Sequence, residues 1–175
     1  YKMRLMYKNK WLAAKSRAPV VPKVDNDGDY LSRPDGPPSI TWVGHSTFVI
    51  QDGKDTILTD PHFNQDQPFF FPRRIQSPGV PIKKIPSDAI ALLSHNHYDH
   101  MDSWTIEALP KSISWFLPAG LGKWFRSVGR ERVIELNWWE TAIHGRWKVT
   151  CLPAQHWSRR FGMGVDSTLW CSWLI

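Results

Sequence analysis

Cysteine is scarce in this chain: Cys151 and Cys171 are the two present, and neither belongs to a C-x-x-C pattern. That excludes a disulfide framework and a thiolate zinc site, and leaves two thiols expected to be buried, in keeping with a reducing compartment. No apolar run approaches the roughly 20 residues that cross a bilayer, and no signal-peptide core is visible. Acidic residues are missing from the first 24 positions, which hold Lys2, Arg4, Lys8, Lys10, Lys15, Arg17 and Lys23. The net charge of +6 therefore sits in that stretch, because the remaining 15 basic and 16 acidic residues leave −1. With no basic stripe over the rest of the chain, nucleic acid is not an expected partner.

Within the basic stretch Met3, Met6, Tyr7, Trp11 and Ala14 recur at helical spacing. Such a helix either lies on an anionic membrane surface or is a solvated or packed extension, and the sequence leaves both open. Residues 19–38 are rich in proline, glycine and aspartate and read as a linker, so residues 1–38 form a basic extension and residues 39–175 the domain. The chain opens on Tyr1 and stops on Leu174-Ile175 inside an apolar run, so a cut at the C-terminus of the domain is expected.

Residues 40–50 and 56–59 are β-branched and aromatic, and the Asp52-Gly53 between them is a hairpin signal. Residues 61–86 form a long irregular segment that carries Phe69-Phe70-Phe71-Pro72-Arg73-Arg74. It is either a greasy surface with two arginines set to meet phosphate or a loop folded onto a tryptophan-rich core. Further on come strands at 88–93, 113–117, 132–136 and 147–152 and helices at 103–109 and 120–128, the first capped by Asp102 or Ser103. That alternation indicates a layered α/β domain.

The chemistry concentrates in Ser94-His95-Asn96-His97-Tyr98-Asp99-His100-Met101-Asp102, which follows a short buried strand. If the strand ends near Ser94, alternation sends His95 and His97 to one side, where two imidazoles can hold one ion. Asp99 and His100 then offer an oxygen and a nitrogen to a second. A lone histidine at a strand end is usually structural; three in six positions with an aspartate among them are hard to explain by packing. His62 and His144 fit no motif and are expected on the surface.

His95-Asn96-His97-Tyr98-Asp99-His100 matches the H-x-H-x-D-H motif of the metallo-β-lactamase superfamily. The wording resembles the branch of N-acyl-phosphatidylethanolamine-hydrolysing phospholipases D. The resemblance extends through Thr41-Trp42-Val43-Gly44-His45-Ser46-Thr47, Leu58-Thr59-Asp60-Pro61, Pro153-Ala154-Gln155-His156-Trp157-Ser158 and Leu169-Trp170-Cys171-Ser172-Trp173, and so covers about residues 39–175. It implies an N-terminal half of an αββα sandwich and a zinc-dependent hydrolase with two Zn2+ per complete domain. His156 would complete a first site with His95 and His97, and Asp99 and His100 would begin a second. Asp60 would lie buried beside the ions and support their ligands, with His45 near it, and Tyr98 would touch substrate.

The implied reaction is hydrolysis of the phosphodiester of N-acyl-phosphatidylethanolamine to an N-acylethanolamine and phosphatidic acid, on a phospholipid substrate met by peripheral contact with an intracellular membrane; a homodimer is left open. A lactonase or small-ester hydrolase of the same fold, and an inactive truncated relative, are the competing readings. The family's bridging aspartate comes in a Gly-Asp-Thr-Gly segment that this chain does not contain, and Asp166 matches no metal position. Asn137 stands where the family pattern has aspartate. The fragment alone is therefore expected to be inactive and poorly folded, since half a sandwich exposes the face of its sheet.

Overall fold

Short β-branched and apolar runs separated by turn residues assemble into two sheets. The computed structural model describes residues 23–33, 36–65 and 74–175. The expected helix around Met3 to Ala14 and the triple phenylalanine at 69–71 lie outside the described residues. Among the described residues no helix is long and apolar enough to cross a membrane.

The larger sheet runs in sequence order from β1 (Ser39–Gly44) through β2 (Thr47–Asp52), β3 (Asp55–Thr59), β4 (Ile90–Leu92) and β5 (Ser114–Pro118) to β6 (Val133–Leu136). The first three strands form an antiparallel meander, and β3 to β6 pair in parallel. Asp52-Gly53 turns the β2–β3 hairpin as expected, with Asp52 opposite Asp55. Residues 40–50, expected as one strand, are two: the chain reverses at Gly44-His45-Ser46, with φ of 134° at Gly44 and 50° at His45. Trp42-Val43 and Phe48-Val49 make the two sides read as one strand, although the glycine and two polar residues between them are the break that marks the turn.

Parallel strands need crossovers, and these carry α1 (Ser103–Ala108) and α2 (Gly122–Ser127). Asp102 is the cap of α1: its carboxylate accepts from the Thr105 backbone N–H at 3.0 Å and from the Thr105 hydroxyl at 2.5 Å. The helices cover one face of the sheet, where Leu58, Ala91, Leu93, Trp115 and Leu117 pack with Ile106, Leu109, Leu121 and Phe125.

On the other face lies a second, antiparallel sheet of β7 (Thr141–His144), β8 (Trp147–Leu152) and β11 (Ser172–Leu174), in the order β11-β8-β7. Val149, Cys151 and Cys171 pack from it against Ile57, Ile90, Leu92, Phe116 and Leu136. Both cysteines are buried free thiols. The face expected to lie open is thus covered over β3 to β6 and open over β1 and β2, where Ile40, Trp42 and Phe48 are 71, 56 and 37% exposed. A small hairpin, β9 (Arg159–Arg160) and β10 (Gly164–Val165), precedes β11.

The tryptophans divide: Trp115 is fully buried and Trp124, Trp138, Trp147 and Trp173 pack partly buried against the core, whereas Trp42, Trp104, Trp139 and Trp157 are about half exposed or more. Two expectations, both for histidines, are corrected. His62 is buried, at 3% exposure, with its backbone carbonyl and ring nitrogen both facing the Arg74 guanidinium. His144 is half-buried, edge-on to the Phe116 ring. Asn137 closes the β6–β7 turn on the Glu140 carboxylate through its backbone N–H (2.7 Å) and amide (3.2 Å). A negative charge there would repel Glu140.

Phe116 is buried between the sheets at 0% exposure. Phe116→Ala is expected to cost about 3–5 kcal/mol in chemical denaturation, because the cavity opens where the two layers meet.

Candidate metal centre

A parallel sheet gathers its functional groups at the carboxyl ends of its strands. Here β3 ends and delivers Asp60, β4 ends and delivers Ser94 to His100, and the segment after β8 brings His156 across from the second sheet. The turn between β1 and β2 contributes His45. Gly44 suits that turn because its φ of 134° is strained for any residue with a side chain; a Cβ there would also displace the Arg74 guanidinium, which donates from Nη2 to the Val43 carbonyl at 2.9 Å.

Two clusters of ligand atoms form. His95 Nε2 lies 2.8 Å from His97 Nδ1, and His156 Nε2 lies 3.0 Å from the first and 3.3 Å from the second. Beside them, Asp99 Oδ2 lies 3.0 Å from His45 Nε2 and 3.8 Å from His100 Nε2. The His95 and His100 rings are 4.1 Å apart between centroids, so the clusters adjoin. His45, expected only near Asp60, instead completes the second cluster.

Asp60 sets the orientation of both clusters. Its carboxylate accepts from the Ser94 backbone N–H at 2.6 Å, the Ser94 hydroxyl at 2.7 Å and His100 Nδ1 at 2.8 Å. With its proton given to Asp60, the Ser94 oxygen is an acceptor for His95 Nδ1 at 2.8 Å. Both rings therefore carry their proton on Nδ1 and turn an Nε2 lone pair inward. His97 is inverted, with Nδ1 in the cluster and Nε2 buried without a hydrogen-bond partner. Ser94 is a residue the sequence did not single out; its place directly before the motif was the available signal.

The electrostatics suit a cation. Burial, reinforced by the like charges of His100, His97 and His156, pushes the His95 imidazole down to about 3. Burial and His156 also lower His97. His100 is drawn down by burial, but its bond to Asp60 and the charges of Asp60 and Asp99 hold it above the usual histidine range. Neutral nitrogens crowded at 2.8–3.3 Å with lone pairs converging fit a divalent ion, and nitrogen with carboxylate ligation accommodates zinc among others. The first ion would be held by His95, His97 and His156, the second by Asp99 and His100 with His45 in reach.

Next to the clusters a groove of about 620 Å³ is lined by His97, Tyr98, Asp99 and Trp157 and by Phe161 and Val165 of the β9–β10 hairpin. The Tyr98 hydroxyl accepts from the Phe161 backbone N–H at 3.2 Å. Asp166 belongs to neither cluster; its carboxylate accepts from the Ser158 N–H at 2.9 Å.

Asp60→Ala is expected to weaken divalent-ion binding about 10- to 100-fold in competition with a chromophoric chelator, since both rings lose their orienting acceptor. In the metal-free protein the unfolded His95 takes up a proton near pH 6.5 and the folded one only near pH 3. The unfolded state thus binds more protons across that window, and the thermal midpoint should fall as pH drops through it. His100 acts oppositely: its contribution is complete below pH 6.5 and lost as pH rises through its raised folded value. A flatter acid limb in His95→Asn is the expected check.

Comparison with known proteins fits this geometry. Residues 55–175 match the family model described as a beta-lactamase superfamily domain. The chain is 35% identical over 144 residues to the mitochondrial N-acyl-phosphatidylethanolamine-hydrolyzing phospholipase D of Saccharomyces cerevisiae, covering 77% of this chain and 31% of that protein. It is 31% identical over 150 residues to N-acyl-phosphatidylethanolamine-hydrolyzing phospholipase D 1 of Caenorhabditis elegans, covering 77% and 42%. It thus spans well under half the length of these relatives. Among solved structures, CmlA, a diiron beta-hydroxylase from Streptomyces venezuelae, superposes with a TM-score of 0.50 at 24% identity over 66% of this chain and 24% of that one, a likeness of fold. By sequence and by architecture, the chain belongs to the metallo-β-lactamase superfamily.

Proposed function

We propose that the protein is a metal-dependent hydrolase whose substrate is the phosphodiester of an N-acyl-phosphatidylethanolamine and whose metal is zinc. The observation that carries this reading is the convergence of His95, His97 and His156, drawn from two sheets, beside the cluster of Asp99, His100 and His45. The likeness to phospholipases D of yeast and nematode supports the choice of substrate. When bound, divalent ions at these ligands supply Lewis-acid charge neutralisation and acidify water at neutral pH.

The chain's own residues do the rest. Asp60 and Ser94 hold the imidazoles in the tautomer that presents Nε2. Tyr98 lines the groove next to Asp99, where it can contact a substrate oxygen. Trp157, Phe161 and Val165 offer apolar surface beside the ligands, suited to a substrate with a long hydrocarbon portion, and Arg159 lines the same groove with positive charge suited to phosphate.

The test is release of N-acylethanolamine and phosphatidic acid from dispersed substrate, followed by mass spectrometry, using a protein that carries this chain together with a segment supplying the bridging aspartate that residues 1–175 lack. Chelation, His95→Ala and Asp99→Asn are each expected to reduce turnover by about 100- to 1,000-fold or more, the lower range being that seen when one group that stabilises developing charge is lost. Turnover that survives chelation would contradict the reading. Hydrolysis of soluble lactones with none of the phospholipid would redirect it to the small-ester alternative.

A further inference from the structure

Four of the candidate ion ligands, His95, His97, Asp99 and His100, sit on a loop, residues 95–101, that has no regular secondary structure beyond a turn in which the Met101 N–H bonds the His97 carbonyl at 2.7 Å. Asp60 anchors its beginning and His100. The middle of the loop, which carries Tyr98 and Asp99, must be held by something else.

That something is a buried guanidinium. Arg160, on β9, is 8% exposed, and its partners are two backbone carbonyls, one hydroxyl and two aromatic faces. Nη1 donates to the Met101 carbonyl at 2.8 Å and the Asn96 carbonyl at 3.3 Å, so one nitrogen bridges the two ends of the loop. Nη2 donates to Ser103 Oγ at 2.7 Å, at the start of α1. The guanidinium carbon lies 4.3 Å over the Tyr98 ring and 5.6 Å from that of Trp124. The next residue donates its backbone N–H to the Tyr98 hydroxyl. A planar five-donor fork can make these contacts together, and an ammonium cannot.

We propose that Arg160 is a positioning residue: it clamps the ligand loop shut, places Tyr98 and Asp99, and makes that loop and the hairpin walling the groove into one rigid unit. The inference rests on the metal centre proposed above. It assigns to Arg160 no contact with substrate or ion; it acts through Tyr98 and Asp99.

The test is a titration of the metal-free full chain with Co2+, read by visible absorption well below each variant's unfolding midpoint. Wild type is expected to bind in two phases. In Arg160→Lys the first phase, at His95, His97 and His156, stays as in wild type, and the second, which needs Asp99, weakens about tenfold or more. Ser103→Ala, which removes one acceptor of the fork and leaves the Asp102 cap in place, gives a smaller weakening of the same phase and keeps the test alive if Arg160→Lys does not fold. Combining Arg160→Lys with Tyr98→Leu should cost less than the two changes separately, because both break one stack. Variants with a lowered unfolding midpoint but both phases as in wild type would overturn the inference and reduce Arg160 to a structural role. Wild type that binds no Co2+ would instead overturn the hydrolase reading, and this inference with it.

Discussion

Between the ends of β3 and β4 the Asp60 carboxylate accepts three hydrogen bonds, and the geometry of both ligand clusters follows from where those bonds point. A carboxylate taken out of water is costly unless its lone pairs are filled. Here they are filled by a backbone N–H, a hydroxyl and an imidazole, and satisfying them turns two further lone pairs toward the ion sites. Asp60 itself adopts a φ of 36°, outside the ordinary range for a side-chain-bearing residue, which the surrounding sheet sustains through the bond from its N–H to the Leu92 carbonyl at 2.8 Å.

The sheet makes this economy workable. Because β3 and β4 run parallel, their carboxyl ends lie side by side, and the residues that follow them meet without any long connection. The second sheet then supplies what the first lacks: β8 packs on the Ile57–Phe116 face, and the chain leaving it carries His156 into the open side of the pair at 95 and 97. Fold stability and ligand convergence are coupled through that inter-sheet layer, so a cavity at Phe116 and a misplaced His156 are two readings of one contact surface.

Much of this was legible in the residues. The histidine-rich run identified itself, because so many ligand types at such short spacing have no packing explanation, and the strand 147–152 was delimited as observed. What was not legible depended on contacts distant in sequence. His45 looked like a strand residue because Val43 and Val49 continue the apolar pattern on both sides of its turn. His62 looked like a surface residue because nothing local announces Arg74 twelve positions later. Arg160 stood in an ordinary Ser-Arg-Arg run, and only the fold brings it under the loop 60 residues earlier. The short hairpin strands β9 and β10 have too few residues to show a period at all.

The central claim is that nitrogens 61 residues apart in sequence share one cation. Calorimetric titration of the metal-free full chain with Zn2+, comparing wild type with His156→Ala, tests it most directly. The account predicts that the tighter binding step disappears in the variant although His95 and His97 are untouched; a variant that binds its first ion as tightly as wild type would contradict it.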